Sequence, residues 1–394
     1  NDTYGANSSS LTSSHLTEAL EKGAQQFGWA AKRTQSGRRN GSKVIGVGVG
    51  QAYHSAGSNG FDGLVRITPD GKLHIHTGVG NLGTYSHSAT SRVAAEILKY
   101  DWDNCIVERG DSRRHLPWNF GQFGSNTSFT MTRTNFVAAQ DALQKILEIA
   151  AIQIGGSPSD FDIANEKVFL KRDPSKLLGY AEVAAAAVEL GGKFSGQIAP
   201  EDINDMTRRS VSALAGTGLI GVARDNLEKN ATVPALAAGF IQIELDLETG
   251  KYEILDYLGI ADCGTVLHPR GLEIQVKSAA VMGFGMAGFE RHAYDPQNGL
   301  PSFTGIHNSK LPTYLDVPTP MDWAATDIAD PQNPVGVKGV GEPIQGCASA
   351  ALLCAISDAL GGHTFNRVPV TADMIVNAAS GRGQSQRPLS TNTT

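Results

Sequence analysis

Hydrophobic positions follow two rhythms along this chain, and the switches between them mark its elements. From about residue 14, Leu16, Leu20 and Phe27 line one helical face, with Glu18 early and Lys32 and Arg33 late, as a helix dipole favours. Val44 is followed by Gly46, Gly48 and Gly50, a strand with bare alternate positions that admits another backbone or a ligand. Residues 64–68, the turn Pro69-Asp70-Gly71 and residues 72–77 read as a hairpin. A glycine-rich loop, 78–84, leads into a helix with Val93, Ala94, Ile97 and Leu98 on one face, and 105–108 reads as another strand. Residues 135–154 are apolar enough for a buried helix.

The order then repeats. Residues 240–245, a turn at Glu248-Thr249-Gly250 and residues 252–261 form a second hairpin, followed by a loop over 263–269 and a helix over 275–288. The predicted fold class is α+β: two pseudo-related lobes of mixed or antiparallel sheet with packed helices. The expected division is an arm over 1–13, lobe one over 14–165, a connecting helical segment over 166–235, lobe two over 236–380 and a tail over 381–394. The connecting segment holds an Ala-rich helix, 179–190, and a stretch over 196–234 with no clear rhythm.

Composition narrows the classes. A hydrophobic fraction of 41% builds a sizeable core, while no apolar run approaches the roughly 18–20 residues of a membrane span. Net charge is −6 with scattered Lys and Arg, so no basic stripe offers itself to nucleic acid. The N-terminus shows neither a signal-peptide pattern nor an initiator Met, which points to a processed, trimmed or partial gene product. Four cysteines without a C-x-x-C argue against an iron–sulfur or zinc site in this chain and against a disulfide framework, and for a reducing, cytoplasmic compartment. Glycine is in excess: 45 of 394 residues, above the usual roughly 7%. The glycines cluster in short loops, as in a protein that brings backbone close to something.

Four loops carry candidate chemistry. Gly78-Val-Gly80-Asn-Leu-Gly83 fits the dinucleotide fingerprint G-x-G-x-x-G, with Glu108 as a ribose-binding acid, but its incoming strand belongs to a hairpin rather than a parallel βαβ unit. In Gly336-Val-Lys338-Gly339-Val340-Gly341-Glu342-Pro343 the glycines admit a bulky ligand and Lys338 can meet an anion. Pro343 suits the first helical position with Glu342 at the cap, where helix amides favour a carboxylate. A plain capping glutamate fits the same residues. Gly121-Gln-Phe123-Gly124-Ser125-Asn126-Thr-Ser128 precedes a helix and suits donation to a phosphate or oxygen-rich cofactor, or an ordinary Ser/Thr helix start. Gln275 is a polar residue on an apolar helix after Asp262-Cys263-Gly264. His74 and His76 share one side of a strand without a third metal ligand at fixed spacing.

Together these segments resemble the molybdenum hydroxylases of the xanthine oxidase family, over the C-terminal half of their molybdopterin-binding subunit, from about residue 16 to 379. Residues 336–343 resemble the family's G-x-K-G-V-G-E-P loop. Residues 77–98 resemble its T-G-x-x-E-x-G-Q-G segment, 121–128 its G-S-rich cofactor loop, and 260–283 its D-x-G-x-x-x-N-P…G-Q…G segment. The resemblance implies a molybdenum–molybdopterin cofactor, with a cytosine dinucleotide form open, whose pterin sulfurs hold the metal. It implies Glu342 as general base in water-derived hydroxylation of an N-heterocycle or aldehyde. Gly83, Thr84, Phe123, Gly124, Ser125, Asn126 and Gln275 would contact the cofactor, and Lys338, Gly339, Val340 and Gly341 would line the same cleft.

Departures from the family pattern are Thr84 for Gln, Asn81 for Glu, His268 for Asn, Ile274 for Gly and Lys277 for Glu. The family's first-half motifs, G-G-G-F-G and R-G-F-G, are absent from this sequence. That implies a split subunit of the nicotinate dehydrogenase type, or a processed chain. The implied partners are a second molybdopterin subunit, an iron–sulfur protein and a flavoprotein carrying FAD. An NAD-dependent dehydrogenase built on residues 78–83 and a non-catalytic structural half-subunit stand as alternatives.

Overall fold

The computed structural model describes residues 3–4, 9–295, 297–301 and 305–384; the rest of the expected arm and tail, 1–2, 5–8 and 385–394, lies outside the described residues. Strands β1 (Thr3–Tyr4) and β2 (Ser9–Ser10) pair with each other. Helix α1 (Leu16–Phe27) ends at Gly28, whose φ of 70° turns the chain into α2 (Trp29–Arg33). Strands β3 (Arg39–Asn40) and β4 (Lys43–Ser55) follow. The first hairpin is β5 (Asp62–Ile67) and β6 (Leu73–His76), succeeded by α3 (Ser86–Ile97), β7 (Cys105–Glu108) and α4 (Thr127–Ile154). Then come β8 (Phe161–Ala164), β9 (Lys167–Leu170), β10 (Asp173–Gly179) and α5 (Tyr180–Leu190). The stretch without rhythm contains α6 (Asp205–Leu214) and β11 (Leu219–Arg224). The second hairpin is β12 (Pro234–Asp246) and β13 (Tyr252–Asp262), before α7 (Pro269–Gly288), α8 (Ile306–Ser309), β14 (Met321–Ala325), α9 (Glu342–Ala359) and α10 (Ala372–Ala379).

The α+β architecture rests on two main sheets, ordered β11-β5-β6-β7 and β14-β13-β12-β4-β3, with β8–β10 as a smaller third. The internal repeat runs deeper than hairpin, loop and helix. In each sheet the returning hairpin strand passes through a helix to a parallel neighbour: β6 to β7 through α3, and β13 to β14 through α7. A second helix covers each sheet, α4 on β5 and β11, and α9 on β4 and β12. The chain order of the flanking strand differs. β11 follows its hairpin, whereas β4 precedes both hairpins and crosses to pair with β12 along its whole length. Residues 43–55, counted by sequence order with the first lobe, are thus a strand of the second sheet, and β11, inside the expected helical connection, is an edge of the first.

Helix α4 begins eight residues before the apolar stretch that announces it. Residues 127–134 carry four threonines and an arginine, which in a sequence look like loop. In the fold they are helical, and their hydroxyls are satisfied within the helix, Thr132 donating to the Ser128 carbonyl at 2.7 Å and Thr134 to that of Met131 at 3.1 Å. Arg133 is buried against Asp225, with Nε–Oδ2 at 2.8 Å and Nη2–Oδ1 at 3.0 Å, a bidentate pair that replaces the lost water.

The bare face of β4 is occupied by backbone. A Cβ at Gly46, Gly48 or Gly50 would overlap the carbonyl oxygens of Ala355, Ala351 and Cys347, successive turns of α9. Around this contact lies one apolar core, including Ile241, Ile243, Val276, Ala280, Ile344, Ala348 and Leu352; a second fills the space between the first sheet and α3, α4 and α5. Among the described residues no helix is long and apolar enough to cross a membrane.

Two measurements test this arrangement. Gly48→Val should lower stability by about 1–3 kcal/mol in urea denaturation, because α9 must move off the sheet; an unchanged midpoint would contradict the contact. Separately, burial next to the Arg66 charge pushes the His76 imidazole from 6.5 down to about 4. The unfolded chain then binds more protons between those values. Stability should be full above pH 6.5 and fall by up to about 3 kcal/mol as pH drops toward 4, a loss that His76→Phe should shrink.

Candidate functional site

The four loops singled out in the sequence are joined edge to edge into a ring. Loop 78–85 is tied to loop 117–123: the Asn119 side-chain oxygen accepts from Gly78 N at 2.6 Å, and Gln122 Oε1 accepts from Leu82 N. Loop 121–126 meets loop 336–342, since a Cβ at Gly339 would overlap the Ser125 carbonyl. Residues 263–265 lace to 336–338 through Lys338 N to Cys263 O at 2.7 Å and Thr265 N to Gly336 O at 2.8 Å. The ring closes where Tyr85 packs on His268, ring centroids 5.1 Å apart.

Inside the ring is a cleft of about 380 Å³. Of the residues expected at a site, Thr84, Phe123, Ser125, Gln275, Lys338, Val340, Gly341 and Glu342 line it. Gly83, Gly124, Asn126 and Gly339 shape the loops without lining it: Gly83 and Gly124 take φ of 78° and 60°, and Asn126 is buried ahead of α4. Gln122, Ser86, Leu267, Ser278, Met282 and Gln345 also line it and were not singled out from the sequence. Gln122 was detectable inside the 121–128 motif, and Gln345 lies one turn from Glu342; for the others the sequence carried no signal.

Glu342 stands at the start of α9 one position later than expected. Gly341 is the cap, with a φ of 141° suited to glycine, Glu342 opens the helix and Pro343 is second. Ser125 holds the glutamate twice: its hydroxyl donates to Glu342 Oε2 and accepts from Glu342 N at 3.2 Å. A Cβ at Gly341 would lie 3.5 Å from both Gln275 Oε1 and Ser125 Oγ, so the carboxylate, hydroxyl and carboxamide share one corner.

Lys338 departs from expectation. Its anion is internal: the buried Nζ lies 2.8 Å from Asp262 Oδ1, an ion pair outside hydrogen-bonding geometry. Asp262 also accepts from His15 N at 2.9 Å. The pair braces the 262–265 and 336–338 walls instead of offering a free cation to a ligand. The strand entering the 78–83 loop is half of a hairpin, as expected, but β6–α3–β7 is in addition a parallel crossover. Glu108, however, is engaged by His74 Nδ1 at 2.9 Å and Arg114 Nη1 at 2.5 Å, so it is not free for a ribose. His76 Nδ1 meets the Arg114 carbonyl at 3.1 Å.

Among the described residues no group of three or more His, Cys, Asp or Glu could hold a metal. The cleft is walled by hydroxyls, carboxamides and close-approaching backbone. The family model described as "Molybdopterin cofactor-binding domain" matches residues 22–318. The chain belongs to that family. Two similar members come from Paenarthrobacter nicotinovorans. The 6-hydroxypseudooxynicotine dehydrogenase complex subunit gamma is 28% identical over 95% of this chain and 44% of its own length. The nicotine 6-hydroxylase large subunit is 25% identical over 90% of this chain and 43% of its own. The fold matches the CO dehydrogenase of Oligotropha carboxidovorans with a TM-score of 0.78 at 21% identity, over 95% of this chain and 46% of that one. Quinoline 2-oxidoreductase of Pseudomonas putida 86 matches with a TM-score of 0.74 at 21% identity, over 93% and 46%. This molybdopterin-binding chain spans somewhat under half the length of the curated relatives it matches.

Lys338→Met leaves Asp262 buried without its cation and should cost about 3–5 kcal/mol in urea unfolding, with much of the loss recovered in Lys338→Met/Asp262→Asn. No recovery in the double variant would mean that the lysine acts through packing.

Proposed function

We propose that this chain is a molybdopterin-binding subunit, or half-subunit, of a multi-subunit molybdenum hydroxylase, with Glu342 as general base. The observation that carries the reading is the corner where Glu342, Ser125 and Gln275 meet inside a cleft of four loops. When bound, the molybdenum–pterin group supplies two-electron redox chemistry and activation of water. The chain's residues do the rest. Ser125 fixes Oε2 and so orients the carboxylate; Oε1 takes the proton of the water-derived nucleophile. Gln275 and the backbone of Gly341 present donors and acceptors to the pterin, in a cleft whose loops Gly83 and Gly124 shape. Apolar side chains, among them Leu82, Phe123, Leu267 and Val340, line the same cleft, which suits an N-heterocycle or an aldehyde as substrate. The two Paenarthrobacter relatives, named for 6-hydroxypseudooxynicotine and for nicotine, favour the N-heterocycle of these two.

The remaining half of the cofactor cleft comes from a second molybdopterin subunit that carries the family's first-half motifs. An iron–sulfur protein and an FAD-bearing flavoprotein carry electrons away.

Metal and pterin analysis of the purified assembly tests the reading: absence of both overturns it. Glu342→Gln should retain molybdenum and lower turnover by about 10²–10⁴-fold. Full activity in that variant would remove Glu342 as the base.

A further inference from the structure

The loop over 78–85 is a glycine-rich wall of the cleft, held within itself by Asn81 Oδ1, which accepts from Thr84 N at 2.9 Å. Three of its eight residues are glycine, and Gly83 and Tyr85 take positive φ of 78° and 57°. Such a segment loses much conformational entropy when ordered and needs anchors. Its position 84 carries Thr, where the resembled segment carries Gln. The structure brings a different carboxamide to that place. Gln122, from the neighbouring loop, donates through Nε2 to Thr84 Oγ1 at 2.6 Å and to Ser86 Oγ at 3.1 Å, while its Oε1 accepts from Leu82 N. Gln122, Thr84, Ser86 and Leu82 all line the cleft. One amide therefore meets three groups of the wall, with donor and acceptor ends both matched.

We propose that Gln122 is a positioning residue for the cofactor, holding the 78–86 wall in its binding shape and supplying from loop 121–128 the carboxamide that position 84 lacks. It acts through Thr84 and Leu82. The chemistry fits a shortened residue beside a long one: a Thr hydroxyl accepts from a carboxamide that a Gln at 84 would itself provide. The proposal rests on the molybdopterin reading only for its cofactor consequence; the effect on the wall belongs to the chain alone.

Two readouts separate these layers. In the full chain without cofactor, hydrogen exchange of peptides covering 78–86 should quicken about tenfold in Gln122→Ala and in the near-isosteric Gln122→Met, with exchange in α9 unchanged. Unchanged exchange over 78–86 in both variants overturns the proposal whatever the cofactor proves to be. In the native assembly, molybdenum retained per chain after dialysis should fall about tenfold in the same variants. It should return toward the wild-type level in Gln122→Ala/Thr84→Gln, where the carboxamide is supplied from position 84. Failure of that rescue overturns the compensating role and leaves a local staple only. Wild-type assembly without molybdenum would instead overturn the functional reading, with the exchange result standing independently.

Discussion

Close contact between the backbone of α9 and the glycine face of β4 is the constraint on which the rest of this molecule depends. With a side chain at Gly46, Gly48 or Gly50, the helix could not lie where it does, because its own carbonyls occupy that space. The helix position in turn sets where its first residue, Glu342, stands. β4 runs the full length of β12, so the helix is registered against the central strands of the five-stranded sheet. Packing of the same helix against α7 brings Gln275 to the glutamate's corner, and Gly283 permits that approach by leaving room for the Gln345 carbonyl.

The same principle of contact without side chains recurs at the rim. Gly339 accepts the Ser125 carbonyl, and Gly264 accepts that of Gly336. Where glycine cannot bridge a gap, an amide or a charge does: Asn119 and Gln122 on one side, the Lys338–Asp262 pair on the other. The cleft is thus a ring of four weakly structured loops stiffened by their neighbours. A protein that must surround a large cofactor with backbone donors gains from such an arrangement, because each loop can approach closely and still be held.

Much of this was legible in the order of residues. The periods of 2 and 3.6 located both hairpins, α1, α3, α5 and α7, and the repeated plan, since each element buries one face and patterning records which. The loop over 336–343 stood out because three glycines, a lysine and a proline surround one carboxylate, and the fold places that loop along the cleft. The start of α4 was not legible: its threonines satisfy their hydroxyls inside the helix, which polarity alone cannot reveal. The partner of Lys338 was not either, because Asp262 lies 76 positions earlier and only folding brings the two charges together.

Local chemistry, then, decided which segments form strands and helices and which loops hold chemically unusual residues, because propensity and amphipathic period act over a few neighbours. The sharing of strands between sheets was a matter of the fold. Whether the glycines of β4 face a ligand or a helix depends on which element packs there, and the permuted crossing of β4 into the second sheet leaves no mark in a short window of residues. The joining of the four loops around one cleft belongs to the same category: contacts such as Ser125 with Glu342 and Gln122 with Thr84 span residues far apart in the chain, and their geometry exists only after both cores have formed.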